Sequence, residues 1–302
     1  LRQEAYDAFD LPNNRWQKRL TDVPWHSIAE QFVMPWLLVK EHFDLVHIPY
    51  FNVPIFYPGK FIVTIHDLTI LHFDTGKATT LTLPLYKLRR LGYYLALAVG
   101  LRRAQKIIAV SHTTKQEIID HFQIDSEKIV VTHEGVGKFA ASNKRLIKYP
   151  YFLYVGNAYP HKNLETLLRA FQIFQGTPFQ LRKGVPFEAK LVLVGKDDYF
   201  YKKLSRDRNV VFFGEASDGQ LQNLYKNAIA LVFPSLMEGF GLPAVEAISL
   251  GCPVIAADIP VFHEFLGDEA TYFDPNSSDD LARALQRAPK KGFLRRNYSW
   301  KH

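Results

Sequence analysis

The stretch that decides the fold reads PSLMEGFGLPAVE, residues 234–246. The short apolar run at 228–233 precedes it and predicts a buried strand. After the glycines, Pro243 suits the first position of a helix, and Gly251 lies where a helix end is favoured. The stretch therefore predicts a strand, a glycine-containing loop and a short helix.

The loop and the first turn of this helix predict a ligand site. Gly239 and Gly241 allow the backbone to approach a ligand closely. The N-terminus of a helix that begins at Pro243 favours anions. Glu238 in the loop and Glu246 in the expected first turn add two carboxylates, so the site suits a ligand with phosphates and hydroxyls, such as a nucleotide sugar. The alternative is structural, since a glutamate in a first turn complements the helix dipole and Gly-Phe-Gly can be a tight turn.

The spacing of the two glutamates resembles a motif of a known enzyme family. Glu238 and Glu246, with seven residues between them, resemble the E-x7-E motif of the retaining glycosyltransferases of family 4. The flanking sequences SLM at 235–237 and GCPVIA at 251–256 extend the match, and the resemblance covers the chain from about Asp44 onward. It implies an α/β protein of the GT-B fold, in which two Rossmann-like doubly wound domains face each other across a cleft.

The composition is that of a soluble globular protein large enough for two domains. The chain has 302 residues, of which 47% are hydrophobic. Its single cysteine excludes an internal disulfide and fits a reducing compartment. No apolar run reaches the roughly 20 residues of a membrane span, and no secretory signal begins the chain. These features predict a cytoplasmic protein.

The net charge of +7 is unevenly distributed. Residues 75–116 contain eight Lys or Arg residues and no Asp or Glu, with aromatic and aliphatic side chains interleaved. Such a segment suits peripheral contact with an anionic membrane or a phosphorylated lipid. The alternative is a helix with a solvated basic face. Nucleic acid is not expected as a partner, because no recognised nucleic-acid module accompanies the charge.

Strands and helices alternate along the chain, which predicts parallel sheets with helices on both faces. The polar, basic connection at 136–150 predicts a linker between two domains, at 1–140 and 141–302. The resemblance implies that the first is the acceptor-side domain and the second the nucleotide-sugar domain. This chain is expected to depart from the family pattern at two places. The first strand and glycine-rich loop are expected to be missing before Leu1, and the last helix to be abbreviated after Leu285.

A second strand, loop and helix unit surrounds VGNAYPHKNL, residues 155–164. Gly156 permits close approach of the backbone, and Asn157 can donate a hydrogen bond where many family members carry an arginine. Lys162 lies near a helix start, a position that favours anions. Without the resemblance it would be a solvated surface lysine, whereas the family implies that it binds the donor diphosphate through a charge-assisted contact.

The pair His66-Asp67 follows a strand of the first half and resembles the family histidine that faces the donor sugar. A locally satisfied histidine and a metal site with His72 and Asp74 are the alternatives, and the spacing does not support a metal. Ser111 ends another strand. It either helps position the acceptor, as Asp67 would, or caps the following helix.

The family resemblance assigns the remaining donor-binding residues. Glu246 would accept hydrogen bonds from the ribose hydroxyls and Glu238 from the sugar. The backbone around Phe240, Gly241 and Leu242 would bind sugar or phosphate, with Gly239 in the same loop. Gly214 and Glu215 resemble the loop beneath the base, without indicating uracil or guanine.

The sequence therefore predicts a retaining hexosyltransferase with His66, Lys162 and Glu238 at its centre. It would move mannose, glucose or an N-acetylhexosamine from a UDP- or GDP-sugar to a glycan or lipid-linked acceptor, with neither metal nor other cofactor. The donor would lie in the second domain and the acceptor would enter from the first. A sugar-nucleotide epimerase and a non-catalytic nucleotide-sugar-binding subunit are the alternatives.

Overall fold

The structure, a computed structural model, describes residues 1–24, 27–73, 83–137, 145–178, 188–204 and 207–287. The chain divides into two compact units. Unit 1 comprises Leu1–Ile65, Leu83–Ile108 and Ile119–Val130, and unit 2 comprises His66–Thr82, Ala109–Ile118 and Val131–His302. The predicted domain boundary at residue 140 lies outside the described residues and stays a prediction.

Unit 1 carries most of a four-stranded sheet in the order β1-β2-β3-β4, in which β1 and β2 are parallel. Its elements alternate as the sequence predicts. They are α1 (Gln3–Ala8), α2 (Ile28–Lys40), β1 (Val46–Ile48), β2 (Phe61–Ile65), α4 (Leu83–Arg103), β3 (Lys106–Ala109), α5 (His112–Phe122) and β4 (Ile129–Val131), with α3 (Thr69–His72) and the start of α5 assigned to unit 2.

Helix α1 was not expected, because the polar start of the chain has no apolar periodicity. None of its residues is buried. Local contacts support it instead: Glu4 lies in its first turn, and Gln3 donates from Nε2 to Asp7 one turn later at 2.9 Å.

Unit 2 contains a six-stranded parallel sheet in the order β10-β9-β8-β5-β6-β7. Read from its other edge, this is the 3-2-1-4-5-6 order of a Rossmann fold. The elements are β5 (Tyr151–Val155), α6 (Leu164–Gly176), β6 (Lys190–Val194), α7 (Tyr199–Lys203), β7 (Val210–Gly214), α8 (Asp218–Asn227), β8 (Ala230–Phe233), α9 (Leu242–Ser249), β9 (Val254–Ala257), α10 (Pro260–Leu266), β10 (Ala270–Phe273) and α11 (Ser278–Gln286).

The central strands of this sheet are covered on both faces. All residues of β8 and β9, and the first four of β5, are buried, which explains why they read as continuous apolar runs. Helix α6 covers the sheet with Leu167, Phe171 and Phe174, whose spacing of three and four residues places them on one face. The α/β class with Rossmann-like organisation is thus confirmed.

Helix α9 begins at Leu242, one residue before the predicted start, with Pro243 at its second position. Gly241 precedes it at φ 90°, a left-handed conformation that glycine adopts at little cost. The prediction that Glu246 lies in the first turn was therefore wrong, since Glu246 is the fifth residue of the helix. Gly251 follows the helix end at φ 75°, as expected.

Among the described helices, none is both long enough and apolar enough to cross a bilayer.

Candidate functional site

The strand order of unit 2 brings two predicted loops together. The sheet reverses its winding between the neighbouring strands β5 and β8, and ligands of doubly wound sheets bind beyond the carboxyl ends of such strands. Lys162 follows β5 and Glu238 follows β8. The Lys162 ammonium donates a hydrogen bond to Glu238 Oε1 at 2.6 Å. Both side chains are largely buried, at 15% and 12% exposure. Two residues 76 positions apart in sequence thus form one charged pair.

Hydrogen bonds between side chains and the backbone shape the loop after β5. Gly156 has φ 152°, and a Cβ there would lie 2.8 Å from the Tyr154 hydroxyl oxygen. That hydroxyl donates to the Asn157 carbonyl at 2.5 Å, and Asn157 Oδ1 accepts from the backbone N–H of Tyr159 at 3.2 Å. The side-chain amide of Asn157 is therefore partly used within the loop.

Asn163 joins the loop after β5 to the loop after β8. It adopts a left-handed conformation, with φ 57°, between the 3-10 turn Pro160–Lys162 and helix α6. Its amide donates to the carbonyls of Pro234 at 3.1 Å and Pro275 at 2.8 Å. These bonds fix the backbone directly after Lys162.

The glycines of the loop after β8 are required by close packing. A Cβ on Gly239 would overlap the carbonyl oxygen of His66, and one on Gly241 would lie 2.8 Å from the Phe262 ring. The ring of Phe240 is buried against Phe265, with centroids 4.0 Å apart. Phe240 can therefore contribute only its backbone to a ligand, as the sequence predicts for this loop.

Glu246 is oriented by Tyr225, which the sequence analysis missed. The buried hydroxyl of Tyr225 donates to Glu246 Oε2 at 2.9 Å. Burial raises the pKa of Glu246 above its usual range, although the hydrogen bond from Tyr225 opposes that shift. Because a carboxylate has two oxygens, Oε1 can still accept a hydrogen bond from a hydroxyl.

His66 is oriented by Glu134, a second residue that the sequence analysis missed. The distance between His66 Nδ1 and Glu134 Oε1 is 2.6 Å, and the Glu134 side chain is 17% exposed. A carboxylate can only accept, so Nδ1 carries a proton in this contact. Glu134 follows β4 as His66 follows β2, and this shared position after a strand is the signal that could have found it.

The two residues predicted on the acceptor side have local partners. Asp67 Oδ1 accepts from the backbone N–H of Thr69 at 2.8 Å, beside the first turn of α3. Ser111 is fully buried, and its hydroxyl accepts from the N–H of Thr114 at 2.9 Å. Ser111 therefore caps helix α5, the alternative that the sequence left open. The role of Ser111 in positioning the acceptor stays a prediction, and its side chain has no exposed atom for such a contact.

The loop predicted beneath the base follows β7. Gly214 has φ 84°, and its carbonyl accepts from the N–H of Gly195 at 3.0 Å. Helix α8 then begins with a capping box between Ser217 and Gln220. Glu215 is exposed and accessible, and its contact with a base stays a prediction.

One group among the described residues has the composition of a metal site. Ligand atoms of His112, His133 and Glu264 lie within 4.8 Å of one another. Two imidazoles and a carboxylate are donors that suit zinc. The carboxylate, however, already accepts from the N–H groups of His112 at 2.8 Å and Thr113 at 3.1 Å, so it caps helix α5. This group differs from the one weighed in the sequence, whose Asp74 lies outside the described residues.

The lowered pKa of His161 predicts that the stability of the fold depends on pH. His161 is buried next to Lys162, and burial followed by that ammonium lowers the pKa of the imidazole from 6.5 to about 4. As the pH falls from 6.5 to 4, the unfolded chain takes up the proton first. We therefore expect His161 to reduce the free energy of unfolding in this range, by up to about 1.4 kcal/mol per pH unit.

The measurement is urea unfolding between pH 4 and 7.5 for the wild type and His161→Asn. The variant removes this titration, so its stability should fall less steeply below pH 6.5. Equal slopes for the two proteins would contradict the lowered pKa.

Comparisons with known proteins point to one family. Residues 138–300 match the family model described as glycosyl transferases group 1, and residues 7–137 match Glycosyltransferase Family 4. The O-antigen chain mannosyltransferase RfbU of Salmonella typhimurium (strain LT2) is 28% identical over 91% of this chain and 73% of its own length. The O-antigen chain mannosyltransferase B of Escherichia coli is 30% identical, over 73% of this chain and 59% of that protein.

Solved structures share the fold. Anabaena HepE in complex with UDP and glucose superposes with a TM-score of 0.65, at 18% identity, over 89% of this chain and 75% of that one.

Proposed function

The chain belongs to the glycosyl transferases group 1 family, and on this premise we propose that it transfers a hexose from a nucleotide diphosphate sugar to a glycan or lipid-linked acceptor, with retention at the anomeric carbon. Mannose is the first hexose to test, because the two relatives described above are named mannosyltransferases. The donor is a UDP- or GDP-sugar, and the complex of HepE with UDP and glucose supports including UDP-sugars in the test. The process served would be the synthesis of a polysaccharide.

The observation that carries the proposal is the pair formed by Lys162 and Glu238. An ammonium group has three N–H donors, of which Glu238 uses one. The other two can bind a diphosphate that lies beside the N-terminus of α9, where anions are favoured. Glu238 in turn has a second carboxylate oxygen for a sugar hydroxyl. The pair thus joins a phosphate-binding group to a hydroxyl-binding group at one place.

The proposed reaction breaks the bond between the anomeric carbon and the diphosphate oxygen. The acceptor oxygen forms its bond on the same face, and its proton passes to the departing phosphate oxygen. Lys162 and the start of α9 stabilise the charge that develops on the diphosphate. His66, held by Glu134, orients the sugar through a hydrogen bond to a hydroxyl or through its backbone carbonyl. Because these groups supply the charge stabilisation, we propose that no divalent ion is required.

Donor binding tests the proposal directly. Calorimetry with UDP-sugars and GDP-sugars should find one base that binds, and Glu246→Ala should weaken that binding at least about tenfold, since it removes the carboxylate for the ribose hydroxyls. Glu4→Ala, a change of an exposed glutamate on α1, is the control and should bind as the wild type does. Turnover in excess EDTA should match turnover without it.

The outcomes separate the candidate functions. A product with the inverted anomeric configuration would contradict the retaining reaction. Absence of donor binding by the wild type would contradict the proposed site. Donor binding without turnover across a panel of saccharide and lipid-linked acceptors would favour the non-catalytic subunit instead.

Peripheral contact with an anionic membrane is the second part of the proposal, and α4 supports it. Along this helix of unit 1, side chains at spacings of three and four residues leave one apolar stripe exposed. They are Leu85, Leu88, Leu91, Leu95 and Val99, at 40–65% exposure. Lys87 and Arg89 are exposed on the same helix, and Arg90 is partly exposed. Apolar and basic side chains on one helix fit an anionic lipid surface.

Vesicle sedimentation tests this contact. Arg89→Gln/Arg90→Gln should bind phosphatidylglycerol vesicles roughly 10- to 30-fold more weakly than the wild type, because each basic residue near such a surface contributes about 1 kcal/mol. Lys148→Gln/Lys226→Gln removes the same charge from exposed positions of unit 2 and should bind normally. Equal binding to phosphatidylcholine vesicles, or equal loss in both variants, would contradict contact through α4.

A further inference from the structure

A cavity of about 760 Å³ opens on unit 2 beside the loop after β5. Its walls come from residues 158–160, from α6 as far as Gln172, and from residues 199, 200, 203 and 204 at α7. Neither Lys162 nor Glu238 lines it. The volume lies in the range of small-molecule sites. No role described so far uses this space.

One wall of the cavity consists of aromatic rings. Phe200 is largely buried, with the ring of Tyr159 at 5.1 Å and that of Tyr199 at 5.4 Å, both close to perpendicular to it. The two tyrosines remain 39% and 46% exposed. Edge-to-face contacts of this kind hold rings in defined orientations. The cavity therefore presents two oriented tyrosine rings to a ligand.

Helix α6 contributes polar side chains to the lining. Glu165, Arg169 and Gln172 lie four and three residues apart on α6, so they share one face of the helix. All three are exposed to solvent. From α7, the Lys203 ammonium lies 4.3 Å from the centre of the Tyr199 ring. Positively and negatively charged side chains thus line the cavity together with the tyrosine rings.

We propose that this cavity binds a saccharide segment of the acceptor, an inference that rests on the proposed glycosyl transfer. A pyranose ring has an apolar C–H face that can pack on a tyrosine ring and a rim of hydroxyls that both donate and accept. A carboxylate, a guanidinium and an amide on one helix face match such a rim. A phosphate ligand is less suited, because Glu165 lies beside Arg169 and the Lys203 ammonium is placed over Tyr199.

The cavity and the candidate site share the loop after β5. Asn163 lines the cavity, follows Lys162 in the chain and donates to the carbonyls of Pro234 and Pro275. A saccharide bound here would contact the same loop that positions Lys162. We expect acceptors long enough to reach the cavity to show a lower KM than short acceptors, with kcat little changed.

The test uses linear hexasaccharides of mannose, glucose and N-acetylglucosamine as probes, with calorimetry and ligand-observed NMR. One of them should bind the wild type, and Tyr199→Ala should bind it roughly fivefold more weakly. Tyr199→Phe keeps the ring and should bind within about twofold of the wild type. Lys202→Ala, on α7 but outside the cavity lining, is the matched control and should bind normally.

Donor affinity is measured on the same samples and should be equal in all four proteins. Hexasaccharide binding that is unchanged in Tyr199→Ala, or absent for all three probes while the donor still binds, would overturn the inference. Tyr199-dependent binding in a protein that binds no nucleotide sugar would support the saccharide site and defeat the proposed function.

Discussion

Lys162→Met will lower kcat/KM by roughly 10²–10³-fold, the loss expected when one charge-stabilising donor is removed from a developing oxyanion. Methionine retains much of the apolar stem of lysine, so the substitution chiefly removes the ammonium. Steady-state kinetics with the donor identified by calorimetry measure the effect. Lys202→Met changes an exposed lysine on α7 and should leave kcat/KM at the wild-type value.

The partner of Lys162 makes a sharper control possible. With Lys162 removed, the Glu238 carboxylate stays at 12% exposure without its cation, which should destabilise the fold by about 1–3 kcal/mol. Glu238→Gln on the Lys162→Met background removes that buried charge, so urea unfolding should show most of the stability restored. Activity should not return, because the ammonium that stabilises the diphosphate is still missing and the carboxylate proposed for a sugar hydroxyl has been replaced. A double variant that regains activity would show that Lys162 acts only by supporting the fold.

The sequence predicts the strands of unit 2 well for a physical reason. Their central residues are buried on both faces, so they appear as apolar runs that end at glycines or small polar residues. The apolar run predicted as a strand at 228–233 contains β8, which begins two residues later at Ala230. The pairing of Lys162 with Glu238 also follows from topology, because both lie after strands that meet where the winding reverses.

The supporting partners could not be predicted in the same way. Glu134 lies 68 residues from His66, and Tyr225 lies 21 residues from Glu246 on a different helix. Such contacts depend on how the loops and helices pack. The position of Glu134 after a strand marks it as a candidate, but no local pattern identifies His66 as its partner. The turn assigned to Glu246 was wrong because Gly241, rather than Leu242, precedes the helix, and proline is tolerated at either of the first two positions.

A second large loss of activity is expected from a substitution at Gly239. Gly239→Ala should lower kcat/KM at least about 10²-fold, because displacement of a catalytic loop by about 1 Å can cost that much. The added methyl group would overlap the His66 carbonyl oxygen, a backbone atom that cannot move aside as a flexible side chain can. Thr114 Oγ1 lies 3.5 Å from that oxygen and 3.4 Å from the Gly239 carbonyl, so a shift would also disturb its contacts.

The same overlap should destabilise the fold by about 1–3 kcal/mol, as overpacking does, and should appear as a lower Tm. Gly176→Ala is the matched control: a Cβ at Gly176 meets nothing within 4 Å, and the residue ends helix α6 with an ordinary φ. Its activity and Tm should equal or exceed those of the wild type, since alanine favours a helix more than glycine does. If Gly239→Ala instead retained the kinetics and the Tm of the wild type, that result would show that the site does not require the close approach of the Glu238 loop to His66.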